Sequence, residues 1–327
     1  MRCCIGVTGA TGFIGKALCA RLISDGHGVK ALVRGGSGRG GDLLPGVDIH
    51  PGDITDARSL QGFAADTDAI VHCAGSVRGA TQVQFDSVNV DGLRNLINEL
   101  KTTSSPPRLL SLSSLAAQEP RLSFYASSKF RAEYLLKEQD LPIRWTVFRP
   151  PVVYGPGDRE LLPLLKLMVS GFALIPGAPQ ARFSMIYIDD LVNAMSAWVN
   201  SQQTMAGVYT LEDGTQNGYD WRTIINAVST LSGRRVRRLP VPAGVLDSIA
   251  WINRTAARIF GYAPMLTPEK LRELRHENWV CDSDALRQVL DWRALTSLPE
   301  GLQKTLFQPC VVATGPSLTT AQARRIK

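Results

Sequence analysis

The stretch Val7-Thr8-Gly9-Ala10-Thr11-Gly12-Phe13-Ile14-Gly15 lies between a short apolar segment and a run with the apolar spacing of an amphipathic helix. This order predicts a strand, a glycine turn and a helix. Gly9 permits the sharp turn, Gly12 lets a pyrophosphate approach bare backbone, and Gly15 lets the helix pack closely on the sheet. The amides of the first helical turn and the helix dipole favour an anion at the same place. The stretch therefore predicts the first βαβ unit of a doubly wound α/β fold that binds a dinucleotide.

The end of the second predicted strand, residues 29–34, bears on the choice between nicotinamide cofactors. Units that bind NAD carry an acidic residue about 20 residues beyond the glycines, where it meets the ribose hydroxyls. Here the sequence reads Leu32-Val33-Arg34-Gly35-Gly36-Ser37-Gly38-Arg39 and has no carboxylate. Because a guanidinium suits a 2′-phosphate, Arg34 favours NADP over NAD. The alternative is a surface arginine beside a Gly/Ser loop, which leaves the choice of cofactor open.

Two further strand ends supply candidate cofactor contacts. Gly52-Asp53-Ile54 follows the third predicted strand, and Asp53 can accept a hydrogen bond from an adenine amino group or simply close a turn. Ala74-Gly75-Ser76 follows the fourth, where small residues let a dinucleotide lie against the backbone. His72, at the end of the fourth strand, is expected to be a packed histidine rather than a base. Asn89 is expected to tie strands together by hydrogen bonds.

Proton-transfer chemistry is predicted at the carboxyl end of the fifth strand, residues 108–112. This strand delivers Ser113 and Ser114 to the edge at which open α/β sheets bind ligands. In the following helix Tyr125 and Lys129 are four residues apart and share one helical face. A phenol has a reference pKa of about 10, and a neighbouring ammonium favours its phenolate. We therefore predict that Ser114 holds a substrate oxygen while Tyr125 moves its proton.

The domain organisation follows from a change in pattern after Pro150, where helices and strands alternate irregularly and prolines and glycines become frequent. The expected organisation is a Rossmann domain over residues 1–150, to which later segments return, and a smaller α+β substrate domain over residues 151–307. Residues 308–327 are polar without an apolar period and are expected to form a flexible tail.

The segment 246–260 carries Ile249, Ile252 and Ile259 at helical spacing and is predicted to be an amphipathic helix. Such a helix can lie on a membrane or pack against the rest of the protein. Asp247 and the presence of only two arginines favour a packed or a substrate-covering helix.

Composition limits the functional classes. The chain has 327 residues, 44% hydrophobic and 20% charged, as is typical of a globular protein with one large or two coupled domains. No apolar run approaches the ~18 residues of a membrane span and no secretory leader is evident, so a cytoplasmic location is expected. The six cysteines form no CxxC pair and no cluster with histidine, which argues against disulfides and a metal site.

The net charge of +7 comes partly from Arg234-Arg235-Val236-Arg237-Arg238. Because this run has no interleaved aromatics, a solvated face or a phosphate-bearing ligand is favoured over nucleic acid.

Together these motifs resemble those of the extended short-chain dehydrogenase/reductase family, which includes NAD(P)-dependent sugar epimerases, dehydratases and dihydroflavonol-type reductases. They occur in the family's order over residues 1–305. The matching segments are Thr8-Gly9-Ala10-Thr11-Gly12-Phe13-Ile14-Gly15, Gly52-Asp53, Ala74-Gly75, Asn89-Val90-Asp91-Gly92, Ser113-Ser114, Tyr125 with Lys129, Arg149-Pro150-Pro151-Val152-Val153-Tyr154-Gly155-Pro156-Gly157-Asp158 and Ile188-Asp189-Asp190.

The resemblance implies particular roles for these residues. Tyr125 is the general acid/base, Ser114 orients the substrate oxygen, and Lys129 also holds the nicotinamide ribose. The residues expected to line an NADP or NAD cofactor are Gly9, Thr11, Gly12, Phe13, Ile14, Gly15, Arg34, Asp53, Ile54, Ala74, Gly75, Lys129, Pro150 and Pro151. The substrate is a small molecule, and hydride passes between the nicotinamide and a secondary alcohol or carbonyl. In the family, the equivalents of the helices around 86–100 and 125–136 often pair across a two-fold axis, which implies a homodimer.

Differences from the family bear on the substrate. Ser114 is followed by Leu115-Ala116-Ala117, and because none of these can move a proton, dehydration is not expected. Tyr125 follows Ser114 by only eleven residues, a shorter spacing than in nucleotide-sugar epimerases. Arg182 lies close to Asp189 in sequence, in the region where the family's sugar-nucleotide enzymes keep a phosphate-binding arginine. A nucleotide sugar therefore stays an alternative ligand. We therefore predict dehydrogenase/reductase chemistry. The alternatives are an epimerase that retains NAD, and a redox sensor or assembly protein that binds the dinucleotide without turnover.

Overall fold

Seven parallel strands form the central sheet of the protein. The computed structural model describes residues 2–35, 43–138, 143–175, 177–203, 205–239 and 241–308. The expected tail at 308–327 lies outside the described residues, apart from Gln308. The strands are β1 (Cys4–Thr8), β2 (Gly28–Val33), β3 (Val47–Pro51), β4 (Ala69–His72), β5 (Arg108–Leu112), β6 (Trp145–Arg149), β7 (Val152–Tyr154), β8 (Phe172–Leu174), β9 (Arg182–Phe183), β10 (Met185–Tyr187), β11 (Gly207–Thr210), β12 (Tyr219–Asp220), β13 (Arg237–Leu239) and β14 (Asn278–Trp279). The helices are α1 (Phe13–Ser24), α2 (Gln82–Asp86), α3 (Gly92–Leu100), α4 (Phe124–Glu138), α5 (Leu162–Val169), α6 (Ile188–Asn200), α7 (Trp221–Ser232), α8 (Ala243–Phe260), α9 (Pro268–Arg275), α10 (Asp284–Val289) and α11 (Leu298–Phe307), with a π-helix (Ser87–Asp91) between α2 and α3.

The order of the strands in the central sheet is β11-β6-β5-β4-β1-β2-β3. Successive strands run from β1 to β3 in one direction and then from β4 to β6 in the other. The order therefore reverses between β1 and β4, which pair from Ile5 opposite Ala69. In open α/β sheets the ligand crevice lies at this point, beyond the carboxyl ends of the strands. The predicted doubly wound Rossmann fold is confirmed.

Two helical layers cover the sheet, because successive side chains of a strand point to opposite faces. One face is covered by α1 and α6, and its buried side chains include Val7, Leu18, Leu110, Phe148 and Leu191. The other face is covered by α3 and α4, and its buried side chains include Ile70, Leu96, Leu109, Leu136 and Val147. Neighbours such as Leu109 and Leu110 thus divide between the two layers, and the central strands are buried on both sides.

The residues after β6 contribute to both parts of the molecule. β11 returns to the central sheet and pairs with β6 from Gly207 opposite Thr146. Within the described chain, the other strands form three small sheets, β10-β7, β12-β9-β14 and β13-β8. Helix α7 packs against α5 and α11. None of the helices in the described ranges is both long and apolar enough to cross a bilayer. The domain boundaries at 150 and 307 stay a prediction.

Helix α8 corresponds to the predicted amphipathic helix, but it packs through a different side. Leu246, Ala250 and Ala257 are buried. The residues expected to pack are Ile249, Ile252 and Ile259, with exposed fractions of 48%, 61% and 72%. The helix is packed as expected, but through these buried residues rather than through the isoleucines. The face of the helix that carries the leucine and the two alanines packs against the rest of the protein, and the three isoleucines are exposed to solvent.

Candidate active site

The glycine turn lies between β1 and α1, where the strand order reverses. Gly9 has a φ of +69°, and a Cβ there would lie 2.6 Å from the Ala74 nitrogen, so only glycine fits. A Cβ on Gly15 would overlap the Gly9 carbonyl oxygen, so helix and turn are in close contact. Gly12 is the exposed N-cap of α1, and a Cβ there would meet only this oxygen, at 3.2 Å. Bare backbone at a helix N-terminus fits the diphosphate of a dinucleotide.

Side-chain hydrogen bonds join β1 to the start of the loop that follows β4. Thr8 Oγ1 lies 2.8 Å from His72 Nδ1 and accepts a hydrogen bond from the Ala74 amide at 3.2 Å. Burial, and then the nearby Lys129 ammonium, lower the pKa of His72 to about 3. His72 is therefore a neutral, packed residue as expected, and Thr8, its hydrogen-bond partner, holds Ala74 beside the glycine turn.

Arg34, Asp53 and Ile54 lie beyond the ends of β2 and β3. Arg34 is exposed, directly after β2. Asp53 Oδ1 accepts hydrogen bonds from the Thr55 amide at 2.9 Å and the Thr55 hydroxyl at 2.8 Å, so it closes a turn. Ile54 is buried, and a Cβ on Gly92 of α3 would lie 3.0 Å from it. The turn-closing alternative for Asp53 is thus present in the structure, and its carboxylate stands at the same sheet edge as Arg34.

The other expected cofactor residues surround the same edge. Thr11 is partly buried in the glycine turn, and Phe13 and Ile14 form the first turn of α1 and pack on the core. Pro150 follows β6, and its carbonyl accepts a hydrogen bond from the Leu115 amide at 2.9 Å. Pro151 is partly buried next to it. All of these positions lie at the carboxyl end of the parallel strands.

Ser114 and Tyr125 meet beyond the end of β5. Ser114 caps the short 3₁₀ turn 115–118 and accepts a hydrogen bond from the Ala116 amide at 3.2 Å. The phenol of Tyr125, in the first turn of α4, lies close enough to the Ser114 hydroxyl for that hydroxyl to act on the phenol's pKa. The pKa of Tyr125 is raised, because burial opposes the phenolate more than the Ser114 hydroxyl and the ammonium of Lys270 favour it. The expectation that Lys129 lowers this pKa differs from the structure in both direction and partner.

Lys129 is buried one turn after Tyr125 on α4. Its ammonium donates a hydrogen bond to the Leu112 carbonyl at 2.9 Å, and a Cβ on Gly75 would lie only 3.1 Å from it. Burial lowers the pKa of Lys129 to about 8, while Cys73 and Glu133 act in the opposite direction. Gly75 therefore leaves the ammonium accessible at the edge of the sheet, where it can hold hydroxyl groups of a ribose.

Asn89 joins the loop after β4 to the helix that carries Tyr125. Its Oδ1 accepts a hydrogen bond from the Ser76 amide at 2.8 Å, and its Nδ2 donates to the Ser76 carbonyl at 3.1 Å. Nδ2 also donates to the Ser128 hydroxyl at 2.8 Å, and that hydroxyl donates to the Tyr125 carbonyl at 2.7 Å. Asn89 lies in the π-helix, a widened turn that is frequent at functional sites. It was expected to tie strands together, and it instead ties a strand end to α4.

Ser113 has a structural role that separates it from Ser114. Its hydroxyl donates a hydrogen bond to Glu133 Oε1 at 2.5 Å, in the core below the site. Glu133 also accepts two hydrogen bonds from Arg149, at 2.7 and 2.5 Å. This buried network joins β5, α4 and β6. Ser114 is consequently the serine that faces Tyr125.

The sequence analysis missed Lys270, which the C-terminal part of the chain places beside Tyr125. Its ammonium lies 5.7 Å from the centroid of the Tyr125 ring and 3.0 Å from Glu273. Glu273 in turn accepts a hydrogen bond from the Ser123 hydroxyl at 2.5 Å. No pattern near Tyr125 could have revealed a lysine so far along the chain, in a short charged helix.

A cavity beside Tyr125 is lined by side chains from both parts of the chain. Its apolar lining comes from Val77, Phe85, Phe124, Pro264 and Met265. Its polar lining comes from Ser123, Thr267, Glu269, Lys270 and Glu273. The Tyr125 ring forms one wall of this cavity. Among the residues that the structure describes, no group of three or more His, Cys, Asp or Glu could hold a metal ion.

Comparisons with known proteins agree with this geometry. A model of the NAD dependent epimerase/dehydratase family matches residues 5–211. A ceramide reductase of Caulobacter vibrioides is 31% identical over 91% of this chain and 97% of its own length. A 2-alkyl-3-oxoalkanoate reductase of Shewanella oneidensis is 25% identical over 91% of this chain and 84% of its own length. The crystal structure of UDP-glucose 4-epimerase from Thermus thermophilus in complex with NAD has a TM-score of 0.71 at 20% identity, covering 93% of this chain and 98% of that one.

The family match covers the glycine turn, the Ser114–Tyr125 pair and all seven strands of the central sheet apart from Cys4, the first residue of β1. Its named relatives include both reductases and epimerases, so the chain is an NAD(P)-dependent enzyme of one of these two kinds. The chain belongs to the NAD-dependent epimerase/dehydratase family, a group of extended short-chain dehydrogenases/reductases.

Proposed function

We propose that the protein is a reductase that prefers NADP(H) and interconverts a ketone and a secondary alcohol on a substrate with an apolar body. The observation that carries this proposal is the position of Tyr125 beside Ser114, with the phenol at the wall of a cavity that has both apolar and polar lining. A phenol beside a hydroxyl at the carboxyl edge of the sheet can move a proton to or from a substrate oxygen.

Three side chains have separate roles in the proposed mechanism. A bound nicotinamide cofactor supplies or accepts the hydride. In reduction, the Tyr125 hydroxyl donates its proton to the carbonyl oxygen, while the Ser114 hydroxyl donates a hydrogen bond to the same oxygen and fixes its position. Because the pKa of Tyr125 is raised by burial, the phenol is held in the protonated form that reduction requires. Lys129 would hold hydroxyl groups of the cofactor's ribose.

The names of two relatives support a substrate with alkyl chains. One is named for ceramide and the other for a 2-alkyl-3-oxoalkanoate. The second candidate, epimerisation of a nucleotide sugar, depended on Arg182 as a phosphate ligand. Arg182 instead donates hydrogen bonds to the carbonyls of Asn217 at 2.6 Å and Gly218 at 3.0 Å, so its guanidinium is engaged with the backbone.

The proposal is tested by following the absorbance of NADPH with two substrates. We expect a 2-alkyl-3-oxoalkanoate ester to consume NADPH stoichiometrically, and UDP-glucose to give no reaction. Interconversion of UDP-sugars without a net change in nicotinamide absorbance would overturn the proposal in favour of an epimerase.

The preference for NADP rests on Arg34. Removing a charge-assisted contact to the 2′-phosphate costs roughly 1.5–3 kcal/mol, so we expect Arg34→Ala to weaken NADP binding by about ten- to a hundredfold. NAD binding is expected to change little. Calorimetry with both cofactors measures this, and Arg222→Ala, an exposed arginine of α7, is the matched control. Equal losses for NADP and NAD would exclude this role of Arg34.

A homodimer formed through α2, α3 and α4 is part of the proposal. Phe130 and Tyr134 on α4 are exposed and stack with their ring centroids 6.4 Å apart, and Val83 on α2 is exposed as well. Light scattering is expected to give twice 35.6 kDa for the native chain and 35.6 kDa for Phe130→Glu. Phe172→Glu is the control, because Phe172 and Phe130 are both 42% exposed. A native mass of 35.6 kDa at micromolar concentration contradicts the dimer.

The cytoplasm remains the proposed compartment. In the described part of the chain the cysteines Cys4, Cys19, Cys73 and Cys281 are free. Burial raises the pKa of the Cys19 and Cys73 thiols to about 12, which keeps them protonated and unreactive. Free buried thiols are typical of proteins in a reducing compartment.

A further inference from the structure

The outer face of α8 is an apolar stripe that nothing in the described chain covers. Val245, Ile249, Ile252, Ile259 and Phe260 are all exposed, and Phe260 reaches 78%. At 3.6 residues per turn these positions fall within one sector of the helix. Exposed apolar side chains scattered singly are ordinary, but a continuous stripe over an 18-residue helix marks an interaction surface.

The stripe points outward because the opposite side of α8 is fixed to the protein. Leu246 and Ala250 are buried with Leu271 of α9. Arg254 forms an ion pair with Glu269 at 2.6 Å, and Asp247 forms one with Arg275 at 2.7 Å. The Asn253 side chain donates a hydrogen bond to the Leu266 carbonyl at 2.8 Å. Rotation of the helix to bury the stripe would break these contacts.

A basic strand leads directly into this helix. Arg234, Arg235, Arg237 and Arg238 are exposed in and before β13, and none of the four forms an ion pair within the described ranges. Leu239, at the end of β13, is also exposed, as is Phe172 opposite Arg237 on β8. An apolar stripe next to unpaired positive charge has the chemistry that anionic lipid headgroups and acyl chains recognise together.

We propose that α8 and β13 form a docking surface for an anionic lipid bilayer, with the stripe immersed at the level of the headgroups and the arginines on lipid phosphates. Tyr262, exposed just after the end of α8, is a side chain that favours this interface. The helix lies in the plane of the membrane and does not cross it. A single signal binds membranes weakly, whereas an apolar face combined with a basic patch binds stably.

The position of the docking surface also connects the bilayer with the Tyr125 cavity. The stripe ends at Phe260, and the chain then passes Tyr262 to Pro264 and Met265, which line the cavity. A substrate with alkyl chains can therefore move from the bilayer to Tyr125 along apolar side chains. This delivery step rests on the proposed function, whereas docking itself does not.

Sedimentation of the full-length protein with lipid vesicles tests the docking surface, without nicotinamide or substrate. The vesicles contain either phosphatidylcholine alone or phosphatidylcholine with phosphatidylglycerol at roughly 7:3, the anionic fraction needed for a surface potential. We expect the native chain to bind the anionic vesicles, and Ile252→Glu to lower its partition coefficient at least about tenfold. The matched control is Leu295→Glu, because Leu295 is 81% exposed elsewhere on the molecule and its change is expected to have no effect.

The charge requirement is tested separately, so the result does not depend on one variant's folding. Replacing Arg237 and Arg238 by serine is expected to lower binding to anionic vesicles by roughly thirtyfold and to leave binding to neutral vesicles unchanged. Arg94→Ser with Arg144→Ser, the same change of charge at other exposed arginines, is the control. Turnover of a short, water-soluble ketone is expected to persist in every variant.

Two outcomes overturn the proposal. The first is a native chain that does not bind the anionic vesicles, or an Ile252→Glu variant that binds them as strongly as the native chain does. The other is conversion of a dimer to a 35.6 kDa monomer by Ile252→Glu, which assigns the stripe to a second copy of the chain. Because no cofactor or substrate is present in the vesicle assay, loss of docking is distinguishable from a failure of the proposed reductase activity.

Discussion

Tyr125→Phe is expected to lower kcat for ketone reduction by roughly 10² or more, the usual effect of removing a positioned proton donor. The change deletes one oxygen, and the ring keeps its contact with Phe85, whose centroid lies 6.2 Å away. Cofactor affinity, measured by calorimetry, is therefore expected to stay at the native value. A fall in kcat with unchanged cofactor binding assigns Tyr125 to proton transfer.

Tyr209→Phe is the matched control for this experiment. Tyr209 is partly buried on β11, and its hydroxyl donates only to the Ala206 carbonyl, at 3.2 Å. Its loss is expected to leave kcat unchanged. If Tyr125→Phe kept most of its activity, the proton would have to reach the substrate by another route, with Ser114 as the nearest hydroxyl.

Lys129→Met is expected to damage both cofactor binding and turnover, with kcat/KM lower by about 10³ or more. The reason is that one buried ammonium fixes the strand end through the Leu112 carbonyl and, in the proposed role, also holds the ribose. Methionine keeps the length and the apolar stem, so packing is largely preserved. An effect on kcat alone, with native cofactor affinity, would contradict the assignment of Lys129 to the ribose.

The same residue gives a pH dependence. Burial lowers the pKa of Lys129 to about 8, so the ammonium is present below this pH and is lost as the pH rises through it. Cofactor affinity of the native enzyme is therefore expected to decline above pH ~8, far below the reference lysine value of about 10.4. In Lys129→Met this decline is expected to disappear, and titration of cofactor binding from neutral to alkaline pH measures both.

The central sheet could be predicted because local sequence and global fold agree there. Val7, Ile70 and Leu110 belong to short apolar runs whose ends carry glycine or small polar residues, a pattern typical of strands buried on both sides. The break of the long helix at Asn89 could not be predicted. A π-turn depends on the hydrogen bonds that Asn89 makes with Ser76 and Ser128, which are distant in sequence.

The candidate site was predictable only in part, for a related reason. The spacing of Tyr125 and Lys129 and the position of Ser114 are local features, and they brought the three residues to one sheet edge. The sequence spacing did not predict that the Ser113 side chain points into the core and donates a hydrogen bond to Glu133. Nor could it show that the cation over the Tyr125 ring is Lys270, because that contact depends on how the C-terminal part packs over the sheet.

Helix α8 shows a limit of periodicity itself. The isoleucine spacing correctly predicted an amphipathic helix, but it could not assign the apolar side to the interior. Alanines 250 and 257 pack because small side chains allow close approach, and a hydrophobic pattern gives them less weight than isoleucine. The ion pairs of Asp247 and Arg254 then fix the orientation that exposes the isoleucines.

The last strand of the central sheet has a consequence for how the protein is synthesised. Six strands are complete by residue 149, but β11 supplies the seventh only at residues 207–210, and α6 covers one face only after residue 188. At a translation rate of about 5–20 residues per second, the nascent chain spends several seconds with β6 as a bare edge. An unpaired edge is a template for strands of other chains. During this interval of translation the edge of β6 is open to such pairing, and it is closed once β11 pairs with it.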